Sequence, residues 1–292
     1  MIIPGAPSQG LATTLARITN HDLATVAFST FPDGERLAAI PELDTDHAVI
    51  VSSTPTSDAH IELLQLQDAA REAGASRITT IIPYMGYARQ DKPMAPGRSA
   101  SDTPPGYPLS ARAIAKAIAT GTDEVFVVSP HEQSILDYFT VPTTAVAGAA
   151  PLADGLPDDL TDPVFIAPDA SASTLAREVC DAYGDGSVDH FEKTRIDGAT
   201  VSVEPSTVST ENRDIIIADD IIATGGTMSA AIEQLTDTGA LRVYAACVHP
   251  LLTGAAATKL AQAGVEAIIG TDTLERPQSV VSVAEPLAHV LS

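Results

Sequence analysis

The chain has no tryptophan among its 292 residues, only two cysteines, and few bases: 16 Lys and Arg together, four of them lysine, against 38 Asp and Glu. The resulting net charge of −22 excludes a protein whose general surface attracts nucleic acid or anionic lipid, since these carry the same sign. An anionic ligand has to be captured by a local cluster of donors. No apolar run approaches the ~18 residues of a membrane span. The opening MIIPGAPSQG has neither the basic flank nor the apolar stretch of an export signal, so the expected location is the cytoplasm. Cys180 and Cys247 lack metal-ligand spacing and fall in apolar stretches, which predicts core packing in a reducing compartment. A P-loop is missing as well: Gly5 and Gly10 have its glycine spacing, but Leu11 stands where its lysine belongs, which argues against an ordinary P-loop kinase.

What is present is a 45% apolar content, enough for the cores of about two domains at this length. Runs of β-branched residues alternate with Ala-rich amphipathic stretches. Strands are expected at 48–53, 77–83, 125–129, 164–167, 214–219, 243–248 and 266–270, and helices at 58–73, 109–120, 171–183, 227–238 and 255–263. Apolar strands separated by helices predict α/β architecture, with mainly parallel sheets covered by helices. Gly74 and Arg77 fall 165 positions before Gly239 and Arg242, a weak internal repeat that any strand–helix–strand unit with a glycine helix cap also shows. It favours two similar domains, 1–147 and 148–292, with the last residues packing back on the first. The Pro-, Gly- and Asp-rich stretch 148–163 suits the linker, and 93–108, with five prolines, reads as a surface loop.

The sharpest chemical signal is 214–227, DIIIADDIIATGGT, an apolar strand that runs into two acids, a Thr/Gly turn and a helix. Backbone N–H groups of Thr224, Gly225, Gly226 and Thr227 at a helix start can wrap a phosphate. Asp219 and Asp220 can accept from a pair of sugar hydroxyls, and adjacent carboxylates at the end of an apolar strand are costly without partners. Lys193 and Arg195 form a short basic Lys-x-Arg patch in an acidic chain; on a strand such alternate residues share a face, although solubilising surface charge gives the same pattern.

These segments resemble the ribose-phosphate diphosphokinases (phosphoribosyl pyrophosphate synthetases), and their archaeal members in particular. The likeness runs through 31–36 (FPDGER), 83–92 (PYMGYARQDK), 108–116 (PLSARAIAK), 129–139 (SPHEQSILDYF), 167–170 (APDA), 193–196 (KTRI) and 214–227. It implies two phosphoribosyltransferase-like domains, an ATP side in the first and a ribose 5-phosphate site in the second. It also implies Mg²⁺ as cofactor and a homo-oligomer, at least a dimer. On this resemblance Phe31, Asp33, Gly34 and Glu35 receive the adenine, Arg89 and Gln90 contact the nucleotide, and His131 and Asp169 belong to the Mg²⁺–ATP site. Imidazole is an unusual partner for Mg²⁺, which favours Asp169 as the direct ligand. Lys193 and Arg195 match the catalytic loop, Arg195 also holding phosphate oxygens. Asp219, Asp220 and the loop Ala223, Thr224, Gly225, Gly226 and Thr227 match the ribose 5-phosphate site. Ala223 stands where the family commonly has an acid or Ser, and 170–173 (ASAS) replaces a Gly-rich turn.

The implied reaction transfers the diphosphoryl group of ATP to the anomeric hydroxyl of ribose 5-phosphate. A nucleobase phosphoribosyltransferase would share the 214–227 segment but would not explain FPDGE or YARQDK, and a non-catalytic paralogue would keep the fold without the reactive residues. The acids, spread along the chain instead of forming one tail, resemble the surface of halophilic proteins; a merely acidic enzyme is the alternative. Self-repulsion at −22 predicts a salt requirement, because the Debye length falls from ~10 Å at 0.1 M salt to ~3 Å at 1 M. Thermal midpoints and activity should therefore rise with KCl, and full stability in dilute buffer would overturn the halophilic reading.

Overall fold

A computed structural model describes residues 1–93, 101, 103–195, 201–205 and 208–291; side chains at 171, 192–195 and 201–205 are outside that description. The chain forms two units. The first contains, in order, β1 (Ile2–Pro4), α1 (Gln9–Thr19), β2 (Ala27–Thr30), β3 (Arg36–Ala39), β4 (His47–Val51), α2 (Ser57–Glu72), β5 (Arg77–Ile82), α3 (Ser110–Ala119), β6 (Glu124–Val128) and β7 (Thr143–Val146). The second contains β8 (Val164–Ala167), α4 (Ser173–Tyr183), β9 (Ser187–Arg195), β10 (Val201–Pro205), β11 (Asp214–Ile221), α5 (Gly226–Asp237), β12 (Arg242–His249), α6 (Ala256–Gln262), β13 (Ala267–Thr271) and β14 (Ser279–Val281). The closing helix α7 (Ala284–Leu291) and residues Thr273–Glu275 belong to the first unit. Among the described residues no helix is long and apolar enough to cross a membrane.

Each unit is the expected α/β sheet. In the first, the order is β1-β4-β5-β6-β7, all parallel, with β2 and β3 as a separate antiparallel hairpin. In the second it is β10-β9-β8-β11-β12-β13-β14, parallel except for the β9–β10 edge. The inner strands are nearly continuous Val, Ile and Ala, as strands buried on both faces require. Ile50, Ile78, Ile82 and Val127 meet Leu63, Leu66 and Ile118 in one core. Ile166, Ile215, Ile217 and Val243 meet Ile232, Leu235 and Leu260 in the other. Cys180 and Cys247 are both free thiols buried in the fold.

The seven strands and five helices read from apolar runs are all present, with ends shifted by one or two residues. The sequence reading did not find β1, α1, the β2–β3 hairpin, β7, β9, β10, β14 or α7, which are short, edge-located or only partly apolar. Most of the proposed 93–108 loop lies outside the described residues; 103–108 are irregular. The 165-residue repeat has a local cause. Gly74 and Gly239 have φ of +103° and +91°. In each case the glycine N–H and the next N–H bond back to the last helical turn: Gly74 to Arg71 and Ala75 to Ala70, Gly239 to Thr236 and Ala240 to Leu235. Gly264 closes α6 the same way, so the pattern belongs to the helix-to-strand connection.

His60, on α2, is 6% exposed, and among the described residues neither of its ring nitrogens has a hydrogen-bond partner. Burial pulls its pKa from 6.5 down to about 4. An imidazole that stays neutral when folded but protonates when unfolded costs stability as pH falls through the window between those two values. His60→Leu is expected to flatten the acid limb of stability and to leave the midpoint at about pH 8 unchanged or higher, since an apolar group replaces an unpaired polar one. Denaturant midpoints across that range test this, and an unchanged acid limb excludes His60 as its source.

Candidate active site

In the second unit the site begins at the amino end of β11. Asp214 is fully buried. It accepts from Arg242 Nε and Nη2 at 2.9 and 2.6 Å and from the Thr161 N–H at 2.6 Å. Although burial opposes ionisation, Arg242 and the Thr161 N–H hold this carboxyl below its ordinary range. The two-pronged pair fixes β11 against β12, in the register Asp214 to Arg242 through Ile221 to His249. Five residues later the same strand emerges at the carboxyl edge of the sheet, where ligands of open α/β folds bind.

There Asp219 and Asp220 sit half-buried. Asp219 Oδ1 accepts from the Asp220 N–H at 2.9 Å. Burial first, then the neighbouring Asp220 and, more weakly, Asp169 push the pKa of Asp219 up to about 7. Asp169 follows β8, the strand beside β11. Its backbone carbonyl and Oδ1 both accept from the Ala172 N–H, at 3.2 and 3.3 Å, within a 3-10 turn at Ala170–Ala172 that leads into α4. The ASAS departure is thus a turn that fixes Asp169. Three carboxylates therefore repel one another at one sheet edge, a state relieved by a cation or by hydroxyl donors.

The loop that follows is anchored through its backbone. The Ala223 carbonyl accepts from Thr253 N–H and Oγ1 at 2.9 and 3.3 Å, so position 223 contributes its peptide, and its family-atypical side chain is not part of that anchor. Gly225 has φ +72°, which favours glycine, and a Cβ there would make only ordinary contact with Ala256 at the start of α6. At Gly226 a Cβ would meet nothing within 4 Å. No side chain caps α5, which leaves its first-turn N–H groups for an external acceptor. Thr224, Gly226 and Thr227 are exposed. This open, uncapped helix start is suited to a phosphate. Cys247, opposite Asp219 in β12, is fully buried and its thiol is pushed far up, which keeps it inert.

Lys193 and Arg195 lie on β9, their backbones paired with Val203 and Val201 of β10. Their side chains are outside the described ones.

In the first unit Phe31, Asp33, Gly34 and Glu35 form the β2–β3 turn. Phe31 N–H donates to the Glu35 carbonyl at 2.8 Å, Gly34 N–H to the Phe31 carbonyl at 2.9 Å, and Glu35 N–H to Asp33 Oδ1 at 3.2 Å. Gly34 has φ +94°, and Phe31 is 48% exposed, a ring free to stack. The hairpin is clamped to α2 by Arg36, which pairs with buried Glu62. Gln65 adds a bond in each direction, to Ala38 N–H and Arg36 O, both at 2.8 Å. Neither Glu62 nor Gln65 carries a distinctive signal in the sequence, since His60 and Gln67 are polar residues of α2 buried beside them.

Arg89 and Gln90 are exposed in the corner after β5. Gln90 is partly used structurally: its side-chain oxygen accepts from Ser110 Oγ at 2.6 Å, and its carbonyl accepts from the Ala111 N–H at 3.2 Å. His131 is exposed beyond β6, after Ser129, whose φ is +38°. Among the described residues no three His, Cys, Asp or Glu side chains are arranged to hold a metal ion by themselves.

Comparison with known proteins covers both units. The family model for the N-terminal domain of ribose phosphate pyrophosphokinase matches residues 1–121, and that for the phosphoribosyl transferase domain matches residues 145–272. The chain is 54% identical over 292 residues to a ribose-phosphate pyrophosphokinase of Halobacterium salinarum, with all of both chains covered. It is 41% identical to that of Methanosarcina acetivorans, over 99% of this chain and 98% of the relative. The crystal structure of phosphoribosylpyrophosphate synthetase from Mycobacterium smegmatis superposes with a TM-score of 0.81 at 28% identity, covering 100% of this chain and 97% of that one.

The raised pKa of Asp219 carries a sign. A carboxyl that titrates near 7 when folded but at 3.8 when unfolded loses stability as pH rises through that window. Asp219→Asn should raise the ligand-free thermal midpoint near neutral pH, gain less at about pH 4, and weaken ribose 5-phosphate binding by about ten-fold or more. Differential scanning fluorimetry and ligand titration check both halves. A variant that is neither more stable nor weaker in binding would remove Asp219 from the site.

Proposed function

From the premise that the chain belongs to the ribose-phosphate pyrophosphokinase family, we propose how its residues perform that family's reaction. The anomeric oxygen of ribose 5-phosphate attacks the β-phosphorus of ATP. The bond from that phosphorus to the oxygen bridging to the α-phosphorus breaks, AMP departs, and 5-phosphoribosyl 1-diphosphate forms. The observation that carries the ribose 5-phosphate site in this chain is the acidic end of β11 running into the uncapped, glycine-lined start of α5, and the FPDGE and YARQDK segments of the first unit set the chain apart from a nucleobase phosphoribosyltransferase.

In this reading the N–H groups of Thr224, Gly225, Gly226 and Thr227 receive the 5-phosphate, with Ala223 contributing backbone. Asp219 and Asp220 accept from the ribose hydroxyls and so orient the anomeric oxygen. Phe31 stacks on the adenine while Asp33, Gly34 and Glu35 line it, and Arg89 and Gln90 contact the nucleotide, Arg89 through its planar donor fork. Lys193 and Arg195 neutralise charge on the transferring group. Catalysis is then mostly alignment and charge neutralisation.

The acidic edge fits Mg²⁺: hard carboxylate oxygens, with the pKa of Asp219 raised by burial and then by Asp220 and Asp169, favour a divalent cation that also keeps water and phosphate ligands. Asp169 is the direct ligand in this reading, with His131 acting on phosphate or through water. When bound, Mg²⁺ would neutralise charge on the diphosphoryl oxygens. The chain acts in the cytoplasm as a homo-oligomer of at least two copies, and it acts on neither nucleic acid nor membrane, in line with its charge of −22.

Product analysis after mixing the protein with Mg²⁺, ATP and ribose 5-phosphate tests the assignment. AMP is expected; ADP would refute diphosphoryl transfer, and no product at all would mark a non-catalytic relative. Lys193→Ala should leave fold and ATP affinity nearly intact and lower turnover by ~10²–10³, as loss of a charge-stabilising donor typically does. Near-normal turnover would remove Lys193 from the catalytic loop.

A further inference from the structure

The corner Tyr84–Gln90 carries Arg89 and Gln90, and its backbone is held in an unfavourable shape. Tyr87 has φ +63°, the left-handed region that an aromatic residue seldom adopts unless its surroundings impose it. The constraints come from the end of β4 and the first turn of α2. Tyr84 N–H donates to Ser53 Oγ at 3.1 Å, and the Tyr84 carbonyl accepts from Thr54 N–H at 2.8 Å. Gly86 N–H donates to Thr54 Oγ1 at 3.0 Å. A Cβ on Gly86 would collide with the Thr54 carbonyl oxygen and approach His60 Nε2, so the strand-to-corner passage is tight. Beyond it, the Tyr87 ring lies 5.5 Å from that of His60 at 45°, and the Tyr87 hydroxyl pairs with Ser57 Oγ at 2.9 Å. The Tyr87 carbonyl in turn accepts from the Gln90 N–H at 2.9 Å.

We infer that Tyr87 and Ser57 are positioning residues for the nucleotide: their hydroxyl pair holds the left-handed corner that presents Arg89 and Gln90. This rests on the reading above that Arg89 and Gln90 contact ATP. The Ser57–Tyr87 pair is exposed, where a hydrogen bond contributes little to global stability because water replaces it readily. Its effect is local. Without it, a strained backbone has a route to relax, and the two nucleotide contacts lose their fixed geometry before ATP arrives. The consequence falls on ATP binding and not on the ribose 5-phosphate site, which is built from β11 and α5.

The test is steady-state kinetics and thermal midpoints for Tyr87→Phe, Ser57→Ala, the double variant and Ser57→Thr, with Arg89→Ala as control. Each of the first two should raise KM for ATP about three- to ten-fold, the range of one hydrogen bond, with kcat, KM for ribose 5-phosphate and the midpoint within about two-fold or two degrees. The double variant should be no worse than either single, because both remove one bond. Ser57→Thr, which keeps the hydroxyl, should restore affinity. Unchanged ATP affinity in Tyr87→Phe and Ser57→Ala, additive losses, or equal losses for both substrates would overturn the inference. If Arg89→Ala also leaves KM for ATP unchanged, the nucleotide assignment itself falls; if Arg89→Ala raises it while Tyr87→Phe does not, only the positioning role does.

Discussion

The buried pair between Asp214 and Arg242 is the constraint on which the second unit depends. A carboxylate at zero exposure is tolerable only with its charge and lone pairs answered, and here a guanidinium fork and a backbone N–H answer them. Because the fork joins the first residues of β11 and β12, it sets their register, and register is what delivers Asp219 and Asp220 to the carboxyl edge. A slip of one residue would move every side chain of β11 to the opposite face. The first unit has a looser counterpart: Asp123 accepts from Arg71 and from the Ile78 N–H, at 2.9 and 2.7 Å. Both ties sit at the strand end away from the proposed chemistry.

The carboxyl edges are correspondingly strained. In the second unit this appears as charge: burial first, then Asp220 and more weakly Asp169, lift the pKa of Asp219 well above its ordinary value. In the first it appears as backbone geometry, with Tyr87 and Ser129 at positive φ. Local strain of this kind concentrates where a protein binds and reacts.

A chain with 38 acids and 16 bases must also allot its few cations. Arg36, Arg71, Arg77, Arg213 and Arg242 are committed to intramolecular carboxylates. Arg89 lies exposed in the Tyr84–Gln90 corner, and Lys193 and Arg195 lie on the β9 edge. An anionic ligand therefore has to be captured by local donors within a repelling surface.

The inner strands and most helices were legible in the sequence because parallel strands buried on both faces read as unbroken Val and Ile runs, and their helices carry a 3.6-residue stripe. The DIIIADDIIATGGT segment was legible for a related reason: strand, acids and glycine turn are contiguous, so the site's geometry follows from local chain direction. The β2–β3 hairpin was not, since its largely exposed strands lack alternation, and it is held by Ala38 and Phe28 packing on the first core and by Arg36, Glu62 and Gln65 tying it to α2. That Thr273–Glu275 cluster with the first unit has no signal in the sequence pattern. Three-dimensional packing alone brought Asp169 beside Asp219, set the His60 ring beside that of Tyr87, and set Tyr87 against Ser57. These are pairings across 50, or some 30, residues of sequence between side chains of ordinary type, and a one-dimensional pattern carries no distance between them. What the sequence determined was therefore each element and the one contiguous binding loop; what the tertiary structure decided was which charges repel, which hydroxyls meet and which backbone is strained, because these depend on separations set only when the sheets assemble.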